Sequence, residues 1–541
     1  MATLTAVTET TAAKSPQGLD QRNREADSTA PERFQWQMLG SVGPAMAVVF
    51  VSLVAVFTVP QLAEYRPWTS DDPLPFWNVL SRPFPSEAAT AAQAHVAAVD
   101  KVADEVLAAP DPPPTPVEPA KPVVEAEVGT KLPPFAAGPD DSADVKTELE
   151  LPTGHELDRF FTSLARSDAS IAGAVTRAVH WGDSAIGVDG IPSAIRRRMQ
   201  NRFGDAGHGF HLMAPANTSY RHREVDFQHN GKWHGCFIIQ KCRSDGHYGL
   251  GGMTFRSVGG AQSSFAPHEK RSSGRVSKLD LHYAAQPNGG QIRIRVDEGE
   301  KIIVDPEADT LEDRFHSIEV PDGLHELEVR AAGSGRVRVY GVSMERDGPG
   351  VVWDGLALVG AFTRRMLEYD ATHLAAQLEH RQADLVVFTF GGSDMVRKIK
   401  MSTYADEYRE VVQHVRKARP EMDCLIMAPL DHGERQGQRI VSRPVVAKMV
   451  EAQRSVAKSE GCAFFDTYTA MGGDGSAGRW FRRKPRLMGG DFGHATGKGH
   501  QVIGELFFRA LVHRYVEFRQ ARDSDGGIDA AANPTPAQPK E

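Results

Sequence analysis

Cysteine is scarce in this chain of 541 residues, which contains only four. No Cys-x-x-Cys pair occurs, and no group of cysteines and histidines has the spacing of a zinc site. Cys424 and Cys462 stand in apolar, strand-like runs and are predicted to be small core residues. Cys236 and Cys242 flank a short apolar run. Whether these two form a local disulfide depends on geometry that the sequence leaves open.

Strong positive charge is also absent, because 62 lysines and arginines face 70 acidic residues and the formal net charge is −8. This balance excludes nucleic acid as the main partner. The chain has no P-loop, no dinucleotide-binding fingerprint and no metal-ligand spacing, so we predict neither cofactor nor metal. With 41% hydrophobic and 24% charged residues, the composition is typical of a globular protein. The length allows two or three domains plus linkers.

One long run without charged residues lies near the N-terminus, at residues 38–59. It is long enough to cross a bilayer core of ~30 Å as a helix. A largely polar segment of 37 residues precedes it, which favours a retained anchor over a cleaved signal peptide. Four basic residues precede the run and Arg66 follows it, so the positive-inside bias keeps the N-terminus in the cytoplasm. The sequence thus predicts a single-pass protein of the cell inner membrane, with the rest periplasmic or otherwise extracytoplasmic.

The rest of the chain divides by composition and periodicity. Strands that alternate with helices predict a parallel sheet covered on both faces. Between them, period-two runs spaced about 8–12 residues apart predict a β-sandwich inserted into the α/β domain. The predicted parts are a disordered cytoplasmic segment (1–37), the membrane helix (38–59), a Pro/Ala-rich linker (60–150), the α/β domain (151–216 and 350–521), the inserted carbohydrate-binding-like sandwich (217–349) and a disordered tail (522–541).

A serine follows the first strand-like run of the α/β part. Gly182-Asp183-Ser184 stands between that run and a helix candidate at 191–203. A serine at such a turn places its backbone N–H and a helix start where negative charge develops during acyl transfer. Gly-Asp-Ser is also an ordinary surface turn, so the tripeptide alone leaves both interpretations open.

Asp491 and His494 form a second short motif, near the C-terminus. A serine hydroxyl needs a base, usually histidine, and the base needs an orienting carboxylate. The alternative is that Asp491 caps the following helix and His494 is merely polar. The order Ser184, then Asp491-x-x-His494, at the edges of an α/β sheet favours a serine hydrolase more than either motif does alone.

Together these motifs resemble those of the SGNH (GDSL) hydrolase family. The runs His180–Gly187, Trp353–Ala361 and Asp491–His494 are similar to three of its sequence blocks. The resemblance implies a flavodoxin-like three-layer α/β/α domain, with Ser184 as nucleophile, His494 as base and Asp491 as the orienting carboxylate. It also implies that the backbone N–H groups of Ser184 and Gly360 bind the oxyanion.

The chain departs from the family pattern at one block. Where the family has Gly-x-Asn-Asp, this sequence has Gly391-Gly392-Ser393-Asp394. The Asn side chain is the third oxyanion donor in the family, and a serine hydroxyl offers one shorter donor in its place. Loss of one such donor lowers the rate ~100-fold or more. Ser393 is therefore predicted to complete a weaker oxyanion hole, alone or with water.

A basic and aromatic loop, 479–486, lies just before Asp491. Arg479, Trp480 and Arg482 are candidate substrate-binding residues, with the indole stacking on a sugar ring of an anionic glycan. A solvated loop without a binding role is the equally weighted alternative. Trp233, His234, His247 and Tyr248 of the insert are candidate glycan contacts, although core aromatics are the favoured interpretation.

The β-insert between the first two blocks resembles the arrangement in bacterial peptidoglycan O-acetylesterases. The predicted function is therefore a membrane-anchored esterase that removes O-acetyl groups from a cell-envelope polysaccharide such as peptidoglycan. Two alternatives stay open at this point. One is an O-acetyltransferase that uses the same site, and the other is a glycan-binding protein without activity on an SGNH scaffold.

Overall fold

The computed structural model describes residues 39–59, 62, 87–109, 123–125, 127, 129–268 and 274–531. The chain separates into two compact units, residues 1–86 and 87–541. Among the residues described in the first unit, one helix is present, α1 (Leu39–Thr58). The predicted cytoplasmic segment, 1–37, lies outside the described residues.

The structure does not support the predicted membrane helix at 38–59. Within the described residues, no helix combines the length and the apolar character that crossing a membrane requires.

The second unit contains helices and strands in alternation around an all-β segment. Its helices are α2 (Glu87–Ala108), α3 (Asp158–Asp168), α4 (Gly190–Phe203), α5 (Ala371–Arg381), α6 (Met401–Ala418), α7 (Val445–Glu460), α8 (Thr467–Ala470), α9 (Ser476–Arg482) and α10 (Gly497–Ser524). Its first strands are β1 (Leu149–Glu150), β2 (Val175–Gly182), β3 (Gly207–Leu212), β4 (Val225–His229), β5 (His234–Phe237), β6 (Met253–Ser257), β7 (Gln262–Pro267), β8 (Val276–Ala285), β9 (Ile292–Val296) and β10 (Ile302–Val304). The others are β11 (Glu312–Gly323), β12 (Leu327–Ala331), β13 (Val337–Glu345), β14 (Gly350–Ala357), β15 (Leu385–Thr389), β16 (Asp423–Met427), β17 (Gly433–Gln436), β18 (Arg439–Ser442) and β19 (Ala463–Phe465).

The central sheet has the strand order β14-β2-β15-β16-β19-β1, and all neighbours are parallel except the β1–β19 pair. The first parallel strand along the chain, β2, thus lies between the second and the third, which is the flavodoxin-like order. Side chains alternate between the faces, so Ala178 of β2 joins one hydrophobic core while Val179 and Trp181 join the other. Helices α5, α6 and α7 pack on the second face, and α2, α3, α4 and α10 pack on the first. The predicted α/β/α architecture is confirmed.

The inserted segment forms two antiparallel sheets, β10-β9-β12-β7-β4 and β11-β8-β13-β6-β5. Apolar side chains from both sheets belong to one buried cluster, as in a β-sandwich. The insert begins earlier than the predicted residue 217, because β3 pairs with β13 in its second sheet. It ends where β14 pairs in parallel with β2 of the central sheet. The inserted sandwich therefore spans residues 207–345.

The predicted linker at 60–150 contains a packed helix. Helix α2 carries an apolar stripe, and its Val99, Val102 and Ala103 are buried in the α/β core. Arg483 donates to the carboxylate of Asp100, which fixes the polar side of the helix. The spacing of these apolar residues, one helical turn apart, identifies a packed helix rather than a stalk.

The predicted tail at 522–541 is also partly ordered. Helix α10 continues to Ser524, and Ile528 and Ala530 beyond it are buried. The N–H of Leu132 donates to the carbonyl of Ile528 at 2.8 Å. The segment before the α/β domain and the segment after it thus stabilise each other, and residues 532–541 lie outside the described part.

All four cysteines are paired. Cys424 at the start of β16 is disulfide-bonded to Cys462 just before β19; both are buried in the core as predicted, but their disulfide was not predicted. The pair forms because β16 and β19 are neighbouring parallel strands. Cys236 and Cys242, the pair that the sequence left open, form the second disulfide, within the β-sandwich.

Candidate active site

Ser184 lies at the carboxyl end of β2, where the chain turns into a short 3-10 segment, Ser184–Asp189. Strand β2 is the central switch point of the sheet, since β14 and β15 extend from it in opposite directions. Crevices at the carboxyl ends of strands beside such a switch point are the usual ligand sites of open α/β sheets. The first N–H groups of a helical turn have no acceptor within it, so the N–H of Ser184 is available to a ligand.

His494 connects Ser184 and Asp491. Its Nε2 lies 2.7 Å from Ser184 Oγ, and its Nδ1 lies 2.5 Å from Asp491 Oδ2. Asp491 does not cap the next helix, because Thr496 occupies that position and accepts from the N–H of Gly499. The side chains of His494 and Asp491 are 48% and 55% exposed, so substrate and water have direct access to the base.

The hydrogen bonds of this triad define its protonation. Asp491 accepts from His494 Nδ1 and from the backbone N–H groups of Gly493 and His494. Partial burial raises the pKa of Asp491, but the hydrogen bonds outweigh it and the pKa lies below its usual value. The ionised carboxylate holds the proton of the imidazole on Nδ1. Nε2 is then free to accept the hydroxyl proton of Ser184, the geometry of a general base.

The second predicted oxyanion donor, Gly360, lies on the loop after β14. It has a left-handed φ of +82° and is exposed, and a Cβ added there would meet no atom within 4 Å. Its N–H has no hydrogen-bond acceptor among the described residues. Parallel pairing of β14 with β2 brings this loop and Ser184 to the same edge of the sheet, and the N–H of Leu358 donates to the carbonyl of Gly182 at 2.7 Å.

Ser393 is positioned by a residue that the sequence analysis did not single out. Asp183 is fully buried, and its carboxylate accepts from the N–H of Ala185 at 2.9 Å and from the N–H of Ser393 at 3.0 Å. One side chain thus joins the nucleophile turn to the loop after β15. The close approach needs a glycine at 392, since a Cβ there would lie 3.2 Å from Asp183 Oδ2. Local sequence carries no signal for such a contact over 210 residues.

A second histidine lies against the site and was also missed. His432 follows β16, and a Cβ on Gly493 would lie 2.8 Å from its ring, while one on Gly392 would lie 3.3 Å from its Nε2. Its Nδ1 lies 3.0 Å from the carbonyl of Leu430. Burial lowers the pKa of His432, and the neighbouring His494 lowers it further, against the opposing effect of Asp183. Its place after a parallel strand is the one signal that could have identified it.

The basic and aromatic loop differs from the prediction. Trp480 is 2% exposed and packs in the α/β core, so it is not available to stack on a sugar. The guanidinium of Arg479 donates to the carbonyls of Gly472 and Asp474, within its own loop. Arg482 is exposed. In helix α9 the indole lies on the buried face, together with Ser476, Ala477 and Gly478.

Among the residues that the structure describes, one group of potential metal ligands comes together: His247, Asp313 and His373. The Nδ1 of His373 lies 2.7 Å from Asp313 Oδ2, and its Nε2 accepts from the N–H of Gly249 at 2.7 Å. Both nitrogens of His373 are thus used within the protein, and the set joins the β-sandwich to helix α5. We interpret it as a buried polar connection between the two parts.

Comparison with known proteins identifies the class. Residues 329–502 match the family model described as GDSL-like Lipase/Acylhydrolase family, a stretch that includes Gly360, Asp491 and His494 but begins after Ser184. The chain is thus similar to this family over about a third of its length. It is a carboxylic ester hydrolase with a serine-type site. No curated protein matches the sequence.

Among solved structures, a peptidoglycan O-acetylesterase is similar over 68% of this chain and 96% of its own length, with a TM-score of 0.54 and 19% identity. This likeness shows a shared fold that includes most of the second unit. A family two carbohydrate esterase from Cellvibrio japonicus has a TM-score of 0.17 at 13% identity, covering 46% of this chain and 85% of its own. A catalytic mutant of the acetylxylan esterase Axe2 from Geobacillus stearothermophilus has a TM-score of 0.23 at 19% identity, covering 30% and 73%.

Proposed function

We propose that this chain removes O-acetyl groups from a polysaccharide of the cell envelope, such as peptidoglycan. The observation that carries the proposal is the continuous contact from Asp491 through His494 to Ser184, open to solvent at the carboxyl edge of the sheet. The nested β-sandwich and the fold shared with a peptidoglycan O-acetylesterase support the choice of substrate.

The proposed reaction has two displacement steps. His494 Nε2 takes the hydroxyl proton of Ser184 as Oγ attacks the acetyl carbonyl carbon. The N–H groups of Ser184 and Gly360, with the Ser393 hydroxyl, stabilise the oxyanion. The ester bond breaks, and the sugar oxygen leaves with the proton from His494. Water then attacks the acetyl-Ser184 ester with His494 again as base, which releases acetate and restores the hydroxyl.

Hydrolysis is favoured over acetyl transfer by the exposure of the site. His494 is about half exposed, so water reaches the position from which it would attack the acetyl-enzyme. A transferase must keep water away from that intermediate. A purely glycan-binding role is disfavoured because hydrogen bonds link all three triad side chains, a geometry that binding alone does not require.

The test uses the full chain, with a small acetyl ester and O-acetylated peptidoglycan as substrates. We expect acetate release from both, and a loss of at least about 10³-fold in Ser184→Ala. Ser402→Ala, at an exposed serine of α6, is the matched control and should keep full activity. Release that persists in Ser184→Ala would refute the proposal. Transfer of acetyl to added glycan without net acetate would make the chain a transferase.

The location is part of the proposal. Two disulfides are typical of an oxidising compartment, which supports an extracytoplasmic location of the domain. Thiol labelling of the protein from cells, denatured without reductant, should leave all four cysteines unlabelled. Full labelling, or recovery in the cytoplasmic fraction, would contradict this part of the proposal.

A further inference from the structure

Four side chains alternate between cation and aromatic ring beside the triad. The guanidinium of Arg435 lies over the ring of Phe492, 5.6 Å from its centre. Phe492 meets Phe481 edge to face, with ring centres 4.9 Å apart. Arg486 lies over Phe481 at 4.3 Å. We refer to Arg435, Phe492, Phe481 and Arg486 as the cation–aromatic ladder.

The ladder is built onto the catalytic loop itself. Phe492 lies directly after Asp491 and has a left-handed φ of +59°, a costly conformation for a bulky residue that clusters at functional sites. The N–H of Gly433 donates to the carbonyl of Phe492 at 2.8 Å, which joins hairpin β17–β18 to this loop. A Cβ on Gly478 of α9 would lie 2.8 Å from the carbonyl of Ile440 in the same hairpin. Three segments thus hold one surface next to His494.

This surface carries positive charge that no ion pair with a described residue neutralises. Its exposed cations are Arg435, Arg439, Arg482, Lys484 and Arg486. None of the five forms an ion pair with a described residue, whereas Arg454 and Arg514, for example, each pair with carboxylates. The nearest carboxylates of the same segments are engaged, Glu434 by Gln436 and Asp491 by His494.

We propose that the cation–aromatic ladder binds a carboxylate-bearing polysaccharide, and that this acidic glycan is the carrier of the ester cleaved at Ser184. The inference rests on the proposed esterase function and specifies its substrate class. A guanidinium that lies on a ring is already ordered and keeps its N–H edge for a carboxylate, which it binds in a fork-like geometry. Exposed, unpaired cations beside the triad also attract a polyanion to it.

The test compares acetate release from O-acetylated polygalacturonate, which is acidic, with release from O-acetylated xylan as the neutral substrate. The full chain is compared with the double variant Arg435→Gln/Arg486→Gln. We expect the KM for the acidic glycan to rise about tenfold or more, equivalent to ~1.4 kcal/mol, with kcat unchanged. KM for xylan and for a small acetyl ester should change less than twofold. In the wild type, added salt should raise KM for the acidic glycan alone.

Arg256→Gln/Arg336→Gln, at two exposed arginines of the β-sandwich, is the matched control. It removes the same charge and should leave the KM for the acidic glycan unchanged. An equal rise in both double variants would overturn the proposal, since the effect would then follow net charge. The proposal would also be overturned if the Arg435→Gln/Arg486→Gln variant raised the KM for xylan as much as the KM for the acidic glycan.

A binding measurement separates this proposal from the esterase function. Calorimetry with Ser184→Ala and polygalacturonate without acetyl groups reports the ladder when no turnover is possible. Binding that the Arg435→Gln/Arg486→Gln substitutions weaken supports the ladder, even if the esterase assay fails. Absence of binding, while the small ester is hydrolysed by Ser184, would overturn the ladder and leave the esterase function standing.

Discussion

The catalytic triad and the charged cluster around Arg196 use similar side chains in opposite ways. In the triad, Asp491 and His494 are about half exposed and share one short hydrogen bond. In the cluster, Arg196 and its two carboxylates, Asp189 and Glu224, are all buried. The triad side chains, which take part in the reaction, are thus accessible to water. The charged side chains around Arg196, which hold the structure around the site, are buried.

The Arg196 cluster joins three parts of the structure. Its guanidinium donates to Asp189 in the nucleophile turn at 2.6 Å and to Glu224 of the β-sandwich at 2.6 Å. It also donates to the carbonyl of Trp353 on β14, the strand that leads to Gly360. Buried ions are tolerated only when they are paired in this way. Substitutions in the triad should therefore lower the reaction rate, whereas substitutions in the Arg196 cluster should lower the stability.

The largest expected effect is on rate. His494→Gln should lower kcat by about 10³–10⁴-fold, because Ser184 loses its base. Since His494 is half exposed, the melting temperature should stay within about 1 °C of the wild type. His513→Gln, at a partly exposed histidine of α10, should leave both properties unchanged. A clearly lower melting temperature of His494→Gln would contradict the view that the triad contributes to rate and not to stability.

The next effect is on stability. Arg196→Met should lower the free energy of unfolding by about 3–5 kcal/mol, because it leaves two buried carboxylates without their arginine partner. Arg198→Met, two residues along the same helix, removes a more exposed partner of Glu505 and should cost about 1 kcal/mol or less. Denaturant titration measures both. Equal losses would mean that burial does not distinguish the two ion pairs.

A smaller effect is expected where the oxyanion hole departs from its family. Ser393→Ala should lower kcat about tenfold to a hundredfold with KM unchanged, provided its hydroxyl meets the oxyanion. The loop should keep its conformation, because Asp183 holds the backbone N–H of Ser393 rather than its side chain. Steady-state kinetics on a small acetyl ester give the answer. An unchanged kcat would remove Ser393 from the site.

The smallest effect concerns pH and stability. His180 is fully buried, and burial lowers its pKa to about 3. Between pH 6.5 and 3 the unfolded chain therefore binds the proton that the folded chain does not, and stability falls as the pH falls. From pH 7 to pH 5 this histidine alone should cost about 2 kcal/mol of unfolding free energy. In His180→Gln, the unfolding free energies from denaturant titrations at the two pH values should differ less than in the wild type. An unchanged pH dependence of the unfolding free energy would contradict this assignment to His180.

The sequence predicted the parts of the site that lie in local motifs. Ser184 follows a strand, and Asp491 and His494 share one turn, so their order along the chain and their resemblance to the family blocks identified them as candidates. The α/β order was predictable for the same reason, because strands and helices alternate along the chain. In contrast, Asp183 acts through a contact with Ser393 that no local pattern encodes.

The failures have the same physical origin. Cys424 and Cys462 meet because two strands become neighbours in the sheet, which depends on topology rather than spacing. Trp480 lies in a basic loop by sequence but is buried by the fold. Helix α2 was assigned to a linker because it is rich in alanine and lies between proline-rich segments, although its few valines determine the packing.

The pairing of β3 with β13 has a consequence for how the chain is organised. Because these strands are antiparallel neighbours, the chain returns to the hydrolase domain next to the point where it left it. The N–H of Arg346 donates to the carbonyl of Ala206 at 2.9 Å across this point. The two ends of the insert are thus only one hydrogen bond apart in the hydrolase domain. An ancestor without the sandwich would need only a short turn at this point, so the accessory module could be gained without rearranging the strands that carry the chemistry.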